Sequence, residues 1–262
     1  MSEKEIEPQV EGEFRILALG DSFTEGDGVP YDSTWVTKLG KRLTTKEKSV
    51  TTVNAGIGGS DPVYEYILLQ EKFVEEPPDL VLMTVNSSDL LDLNLRGGFE
   101  RFQADGTSKV VEVPKWEWIY GISYIFRHIM HDLFAYPKNF MHTFEEEGFS
   151  ESLKIMLEAI DKTVELAEKN DFRFMVIIHP TDTDFESKGY LYAELDDLIE
   201  NLTSRAIPVL DIKEYLKKRG YISNKDIESI YWPINRHFNQ KGYNLFLDGV
   251  VEKLKELGWD GK

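Results

Sequence analysis

At 262 residues, with 41% apolar and 29% charged side chains, the chain is long and apolar enough for one large core and is not a disordered segment. A formal charge of −17 repels a phosphate backbone, so nucleic acid is not an expected partner. The absence of cysteine removes disulfides, thiolate nucleophiles and cysteine-held zinc.

The start, MSEKEIEPQVEGEF, lacks the basic region and apolar run of a signal peptide. No stretch is apolar for long enough to predict a membrane-spanning helix. The visible sequence is therefore expected in the cytoplasm, or in the periplasm or outside the cell had a leader been removed.

Residues 14–19 form a short apolar run ended by Gly-Asp-Ser, which predicts a buried strand. Trp35, Val36, Leu39 and Leu43 recur at helical spacing and predict a helix over 33–46. The β-branched run 49–55 predicts a second strand. Residues 62–76 read as a helix with Pro62 in its first turn, stopped by Pro77-Pro78. Strands are expected at 79–86, 172–180 and 206–212. Helices are expected at 149–170, 189–203 and 240–257, with Ser150 a candidate cap. Strands alternating with helices imply a mainly parallel sheet covered on both faces, with ligands bound at the strand carboxyl ends.

Residues 92–148 break that rhythm, being too long for a plain crossover. Residues 99–113 suit a hairpin around Asp105-Gly106, and 116–134 an aromatic helix. The expectation is a single domain over 1–262 in which 92–148 is an inserted aromatic-rich subdomain, or a lid beside the site. A homo-oligomer burying this segment is compatible with either reading.

Ser22 follows the first strand directly, where a hydroxyl can face a site, although serine also caps helices. NAGIGGSD (54–61) follows the second strand, and its glycines can expose backbone N–H groups to an oxyanion or simply make a tight turn. VNSSD (85–89) follows the third strand; Asn86 and Ser88 carry side-chain donors, and Asp89 suits a structural cap. His237 lies in a polar loop before the last helix. It is a suitable base for a serine if that loop folds over the same sheet edge. His128 and His131 lack clean ligand spacing beyond Asp132, so no metal is expected. His142 suits packing, and His179 suits a structural role or a substrate loop.

Taken together, GDSFTEGDGV (20–29), NAGIGGSD, VNSSD and NRHFNQKGY (235–243) resemble the blocks of the SGNH/GDSL hydrolases, a family of serine esterases, lipases and acylhydrolases. The resemblance frames residues 14–250 and leaves the insertion outside it. It implies a three-layer α/β/α sandwich around a mostly parallel five-stranded sheet, a flavodoxin-like arrangement. It makes Ser22 the nucleophile, His237 the base, and the N–H groups of Ser22 and Gly59 the oxyanion donors, with Asn86 or Ser88 assisting and Asp21 and Asp89 supporting. It requires no cofactor.

Two departures stand out. Ser88 occupies the position of the family's asparagine donor, and losing one good donor costs roughly 3 kcal/mol in the barrier. Asn235 stands where an aspartate is expected; in a serine protease the same exchange costs about 10⁴-fold. Asp21, Asp61, Asp182 and Asp184 remain open as substitute acids. The expected activity is hydrolysis of a carboxylic ester, from a small molecule, lipid or acetylated carbohydrate. Trp116, Trp118, Tyr120 and His179 are candidate substrate contacts. The alternatives are a noncatalytic ligand- or carbohydrate-binding protein on this scaffold, or an acyltransferase.

Overall fold

The computed structural model describes residues 8–109, 114–134, 136, 149–185 and 191–260. Five strands, β1 (Glu13–Gly20), β2 (Ser49–Gly56), β3 (Leu80–Val85), β4 (Arg173–Ile178) and β5 (Val209–Asp211), form one sheet in the order β2-β1-β3-β4-β5. Every pairing is parallel.

Alternate residues of β1, β3 and β4 face opposite layers, and both faces of these three strands are buried, while the edge strand β2 is half-exposed. Ile16, Ala18, Leu80, Leu82, Met175 and Ile177 point to one core. There they meet α2 (Trp35–Leu43), α9 (Ile212–Lys218) and α11 (Gln240–Glu256), through Trp35, Leu39, Leu216, Phe246 and Val250. Leu17, Leu19, Val81, Met83, Val176 and Ile178 point to the other core. It is closed by α3 (Pro62–Lys72), α4 (Ser87–Arg96), α7 (Phe149–Asn170) and α8 (Leu191–Ser204). The result is the expected three-layer sandwich.

The chain leaves β1 for β2 on one side and then crosses to β3 on the other. The strand order therefore reverses beside β1, where a doubly wound sheet opens a crevice at its carboxyl edge. Ser22 lies two residues beyond β1, at that opening.

The insertion differs in detail from its expectation. Helix α4 runs across residue 92 and packs on α7, so residues up to Arg96 belong to the main layers. Asn86 and Asp89 cap it reciprocally, each side chain accepting the other's backbone N–H region. The small hairpin is present as an antiparallel bridge between Phe102 and Ser108; residues 110–113 lie outside the described residues. The aromatic helix is two helices, α5 (Glu117–Ile122) and α6 (Tyr124–Phe134). Ser123 separates them because its hydroxyl accepts from Phe126 N at 3.2 Å, ending one helix and capping the next. His142 lies outside the described residues.

Candidate active site

The Ser22 side is built from buried hydrogen bonds. Asp21 caps the short helix α1 (Ser22–Glu25), its Oδ1 accepting from Phe23 N at 2.9 Å. Its Oδ2 accepts from Asn86 Nδ2, also at 2.9 Å. Thr24 and Thr84 share a hydroxyl contact of 2.6 Å across the turn. Gly20 is required here: its φ is +153°, and a Cβ would overlap the Thr84 and Thr24 side chains.

The His237 side is a surface loop. Tyr231 and Phe238 bridge antiparallel, and Trp232 N donates to His237 O at 2.8 Å. Asn239 caps α11, accepting from Lys241 N and Gly242 N. Between them Arg236 takes a left-handed φ of 62°. This turn carries His237 over Phe23, the two ring centroids 4.7 Å apart.

The two sides meet at 2.7 Å, between Ser22 Oγ and His237 Nε2. His237 Nδ1 lies 2.9 Å from the backbone carbonyl of Asn235. A carbonyl only accepts, so this contact places the ring proton on Nδ1 and leaves the Nε2 lone pair for the serine. The Asn235 side chain serves differently from its expectation: Oδ1 accepts from His237 N at 3.3 Å and does not hold the ring. The main chain thus supplies the orienting contact.

Two backbone N–H groups, those of Ser22 and Gly59, make no hydrogen bond among the described residues. Gly59 has a left-handed φ of 74°, which sets the turn after β2. Gly58 N instead donates to Glu25 Oε2 at 2.8 Å. The side-chain donors proposed beside them are committed elsewhere. Asn86 is 1% exposed and its amide points to Asp21. Ser88 Oγ donates to Asn86 Oδ1 at 2.6 Å. As folded, neither offers a proton to the site.

His179 has no exposed surface, which corrects its assignment to substrate contact. Its ring lies 4.7 Å from Phe23, on which His237 also rests, and burial pushes its pKa down and favours the neutral ring. Asp89 is buried with its Oδ2 on Asn86 N; burial first, then Asp21 and Glu65, push its carboxyl well above the usual range. Of the substitute acids, Asp61 caps α3 and pairs with Arg101 at 2.6 Å. Asp182 pairs with Arg236 at 2.5 Å, and Asp184 accepts from Ser87 and Thr181. Each is committed away from His237.

Trp116, Trp118 and Tyr120 sit in the α5–α6 hairpin. Trp116 packs edge-on against Phe126 and Tyr120 against Tyr136, while Trp118 is exposed. Among the described residues no ring contact or hydrogen bond joins these three to Ser22 or His237. No group of three or more His, Asp or Glu that could hold a metal ion occurs among the described residues. No helix there is long and apolar enough to cross a membrane. A groove of 1090 Å³ follows the outer edge of β2 to Glu25 and Ile57, and a cavity of 470 Å³ lies behind Trp232 and Arg236. Ser22 and His237 line neither.

The sequence pattern of the GDSL-like lipase/acylhydrolase family matches residues 16–250, nearly the whole described body. The chain belongs to that family. Solved structures of similar fold include a member of the lipolytic G-D-S-L family from Veillonella parvula, at 18% identity, TM-score 0.52, covering 91% of this chain and 97% of that one. They also include the acetylxylan esterase Axe2 from Geobacillus stearothermophilus, at 12% identity, TM-score 0.58, covering 92% and 94%. At such identities these likenesses show the fold alone. An arylesterase from Vibrio mimicus is 28% identical over 101 residues, 38% of this chain and 48% of its own. The chain therefore aligns with about half the length of that relative. Family membership supports a serine-type esterase or acyltransferase activity.

Proposed function

We propose that this GDSL-like protein hydrolyses carboxylic esters through an acyl-enzyme on Ser22. The observation that carries the reading is the 2.7 Å contact between Ser22 Oγ and His237 Nε2. A noncatalytic binder has no need of a serine held on the free lone pair of a correctly protonated imidazole.

In this reading Ser22 Oγ attacks the ester carbonyl as its proton passes to His237 Nε2. The oxyanion is held by the N–H groups of Ser22 and Gly59, with no side-chain donor. The tetrahedral intermediate collapses, the alcohol leaves with the proton from His237, and water reverses the sequence to release the acid. Transfer of the acyl group to a second alcohol would share every step up to the acyl-enzyme.

The likeness to an arylesterase and to an acetylxylan esterase favours small esters as first substrates. Hydrolysis of p-nitrophenyl acetate by the chain and its Ser22→Ala variant tests the reading. Turnover that disappears with Ser22 supports it; turnover that survives the substitution overturns it.

A further inference from the structure

The Asn235 carbonyl orients His237 but brings no negative charge to balance the imidazolium that forms when Ser22 gives up its proton. We propose that Asp27 supplies that charge, from the Nε2 edge of the ring rather than the Nδ1 edge. The inference rests on the Ser22–His237 reading above.

Asp27 Oδ2 lies 3.9 Å from His237 Nε2. The backbone of this residue is held on both sides of its Cα. Its N–H donates to Ser22 O at 3.0 Å, within the turn that carries the nucleophile. Its carbonyl accepts from the hydroxyl of Tyr243, a residue of α11, at 3.2 Å. The next carbonyl, that of Gly28, accepts from Trp232 Nε1 at 3.0 Å. The loop bearing Asp27 is thus clamped to both the turn of Ser22 and the loop of His237, which fixes the backbone from which its carboxylate reaches toward the ring.

No cation competes for Asp27 among the described residues. The nearest guanidinium in sequence to His237, that of Arg236, is taken by Asp182. Asp21, Asp61 and Asp184 are buried and bonded elsewhere. Among the described residues, Asp27 is the carboxylate that comes within 4 Å of the imidazole nitrogens.

The chemistry balances without moving a proton to Asp27. As the Ser22 Oγ–carbon bond forms, the carbonyl electron pair shifts to oxygen and the serine proton shifts to Nε2. The imidazolium and the oxyanion are the new charges. Asp27 remains an anion throughout, attracts the imidazolium, and releases nothing when the proton moves on to the leaving alcohol. It acts through His237 and is a positioning residue. Because the Asp27 side chain is 62% exposed, this attraction is screened by solvent and salt.

The test compares the full chain with its Asp27→Asn and Asp27→Glu variants, measuring the rate of labelling by a fluorophosphonate and the turnover of p-nitrophenyl acetate, at low salt and in about 1 M salt. Asp27→Asn is expected to slow both by about tenfold at low salt, through kcat rather than KM, and by only about twofold at high salt. Asp27→Glu is expected to recover most of the loss. Thermal unfolding of all three chains checks that they fold alike. Equal rates for the chain and Asp27→Asn at low salt, or a loss of the same size at both salts, would overturn the inference and leave the Ser22–His237 reading standing. A parent chain that neither labels nor turns over would overturn that reading, and this inference with it.

Discussion

The two halves of the site are held by different means. Ser22 stands on a buried lattice in which Asp21, Asn86, Thr24 and Thr84 each have fixed partners. His237 stands on a loop whose orienting contact is a backbone carbonyl and whose nearest carboxylate is exposed. The nucleophile side is determined by side chains that a substitution can remove. The base side is determined by main-chain geometry, which tolerates a change of side chain as long as the turn survives. An asparagine at 235 does not cost the ring its orientation, because the carbonyl beside Nδ1 is present in any residue.

That contrast can be broken in steps. The largest effect belongs to Ser22→Ala, which should lower ester turnover by about 10⁴-fold or to the uncatalysed background, read from kcat/KM. Next comes Gly20→Ala. Its Cβ has no room between the Thr84 and Thr24 side chains, so urea unfolding should report a loss of about 1–3 kcal/mol. Wild-type stability there would mean that the lattice under Ser22 is looser than described.

A third test addresses the acids under the nucleophile. Burial first, then Asp21 and Asp61, push the Glu65 carboxyl well above its ordinary value of 4.5. A carboxyl raised in the folded state stabilises it fully below the ordinary value and loses that contribution as pH climbs through the raised one. Stability should therefore fall with rising pH above about 4.5, by at most about 1.4 kcal/mol per pH unit for this group. Glu65→Gln should flatten that slope in denaturation curves taken across pH; an unchanged slope would contradict the assignment. The smallest effect is expected at the position that looked most damaging. Asn235→Ala keeps the carbonyl and should cost less than about tenfold in kcat/KM, against the 10⁴-fold that removal of a triad acid costs in a serine protease. A loss of that larger size would restore the side chain to the mechanism.

Much of the fold was legible because both faces of the inner strands are buried. The mainly apolar runs at 14–19, 79–86 and 172–180 mark the three inner strands, which lie at Glu13–Gly20, Leu80–Val85 and Arg173–Ile178, while the edge strand β2 is half-exposed and was legible from its β-branched residues. The helix over Ser87–Arg96 was missed because Asn-Ser-Ser-Asp reads as a polar loop, although Asn86 and Asp89 at capping-box spacing were its signal. At the site, the local motifs and their order, through the resemblance to the SGNH/GDSL blocks, pointed to Ser22 and His237. What it could not convey was which atoms meet: that the Asn235 carbonyl faces Nδ1 of His237, that Asn86 turns inward to Asp21, and that Phe23 lies beside both His179 and His237. Asp27 was in plain view between Gly26 and Gly28, but its distance to His237 depends on a contact spanning most of the chain.

The pairing of Ser22 with His237 is open to one decisive measurement, the intact mass of the chain after exposure to a fluorophosphonate, alongside Ser22→Ala and His237→Ala. A single adduct on the parent chain, mapped to Ser22, absent from Ser22→Ala and formed far more slowly in His237→Ala, is the expected result. An unlabelled parent chain, or an adduct that persists without Ser22, would contradict it.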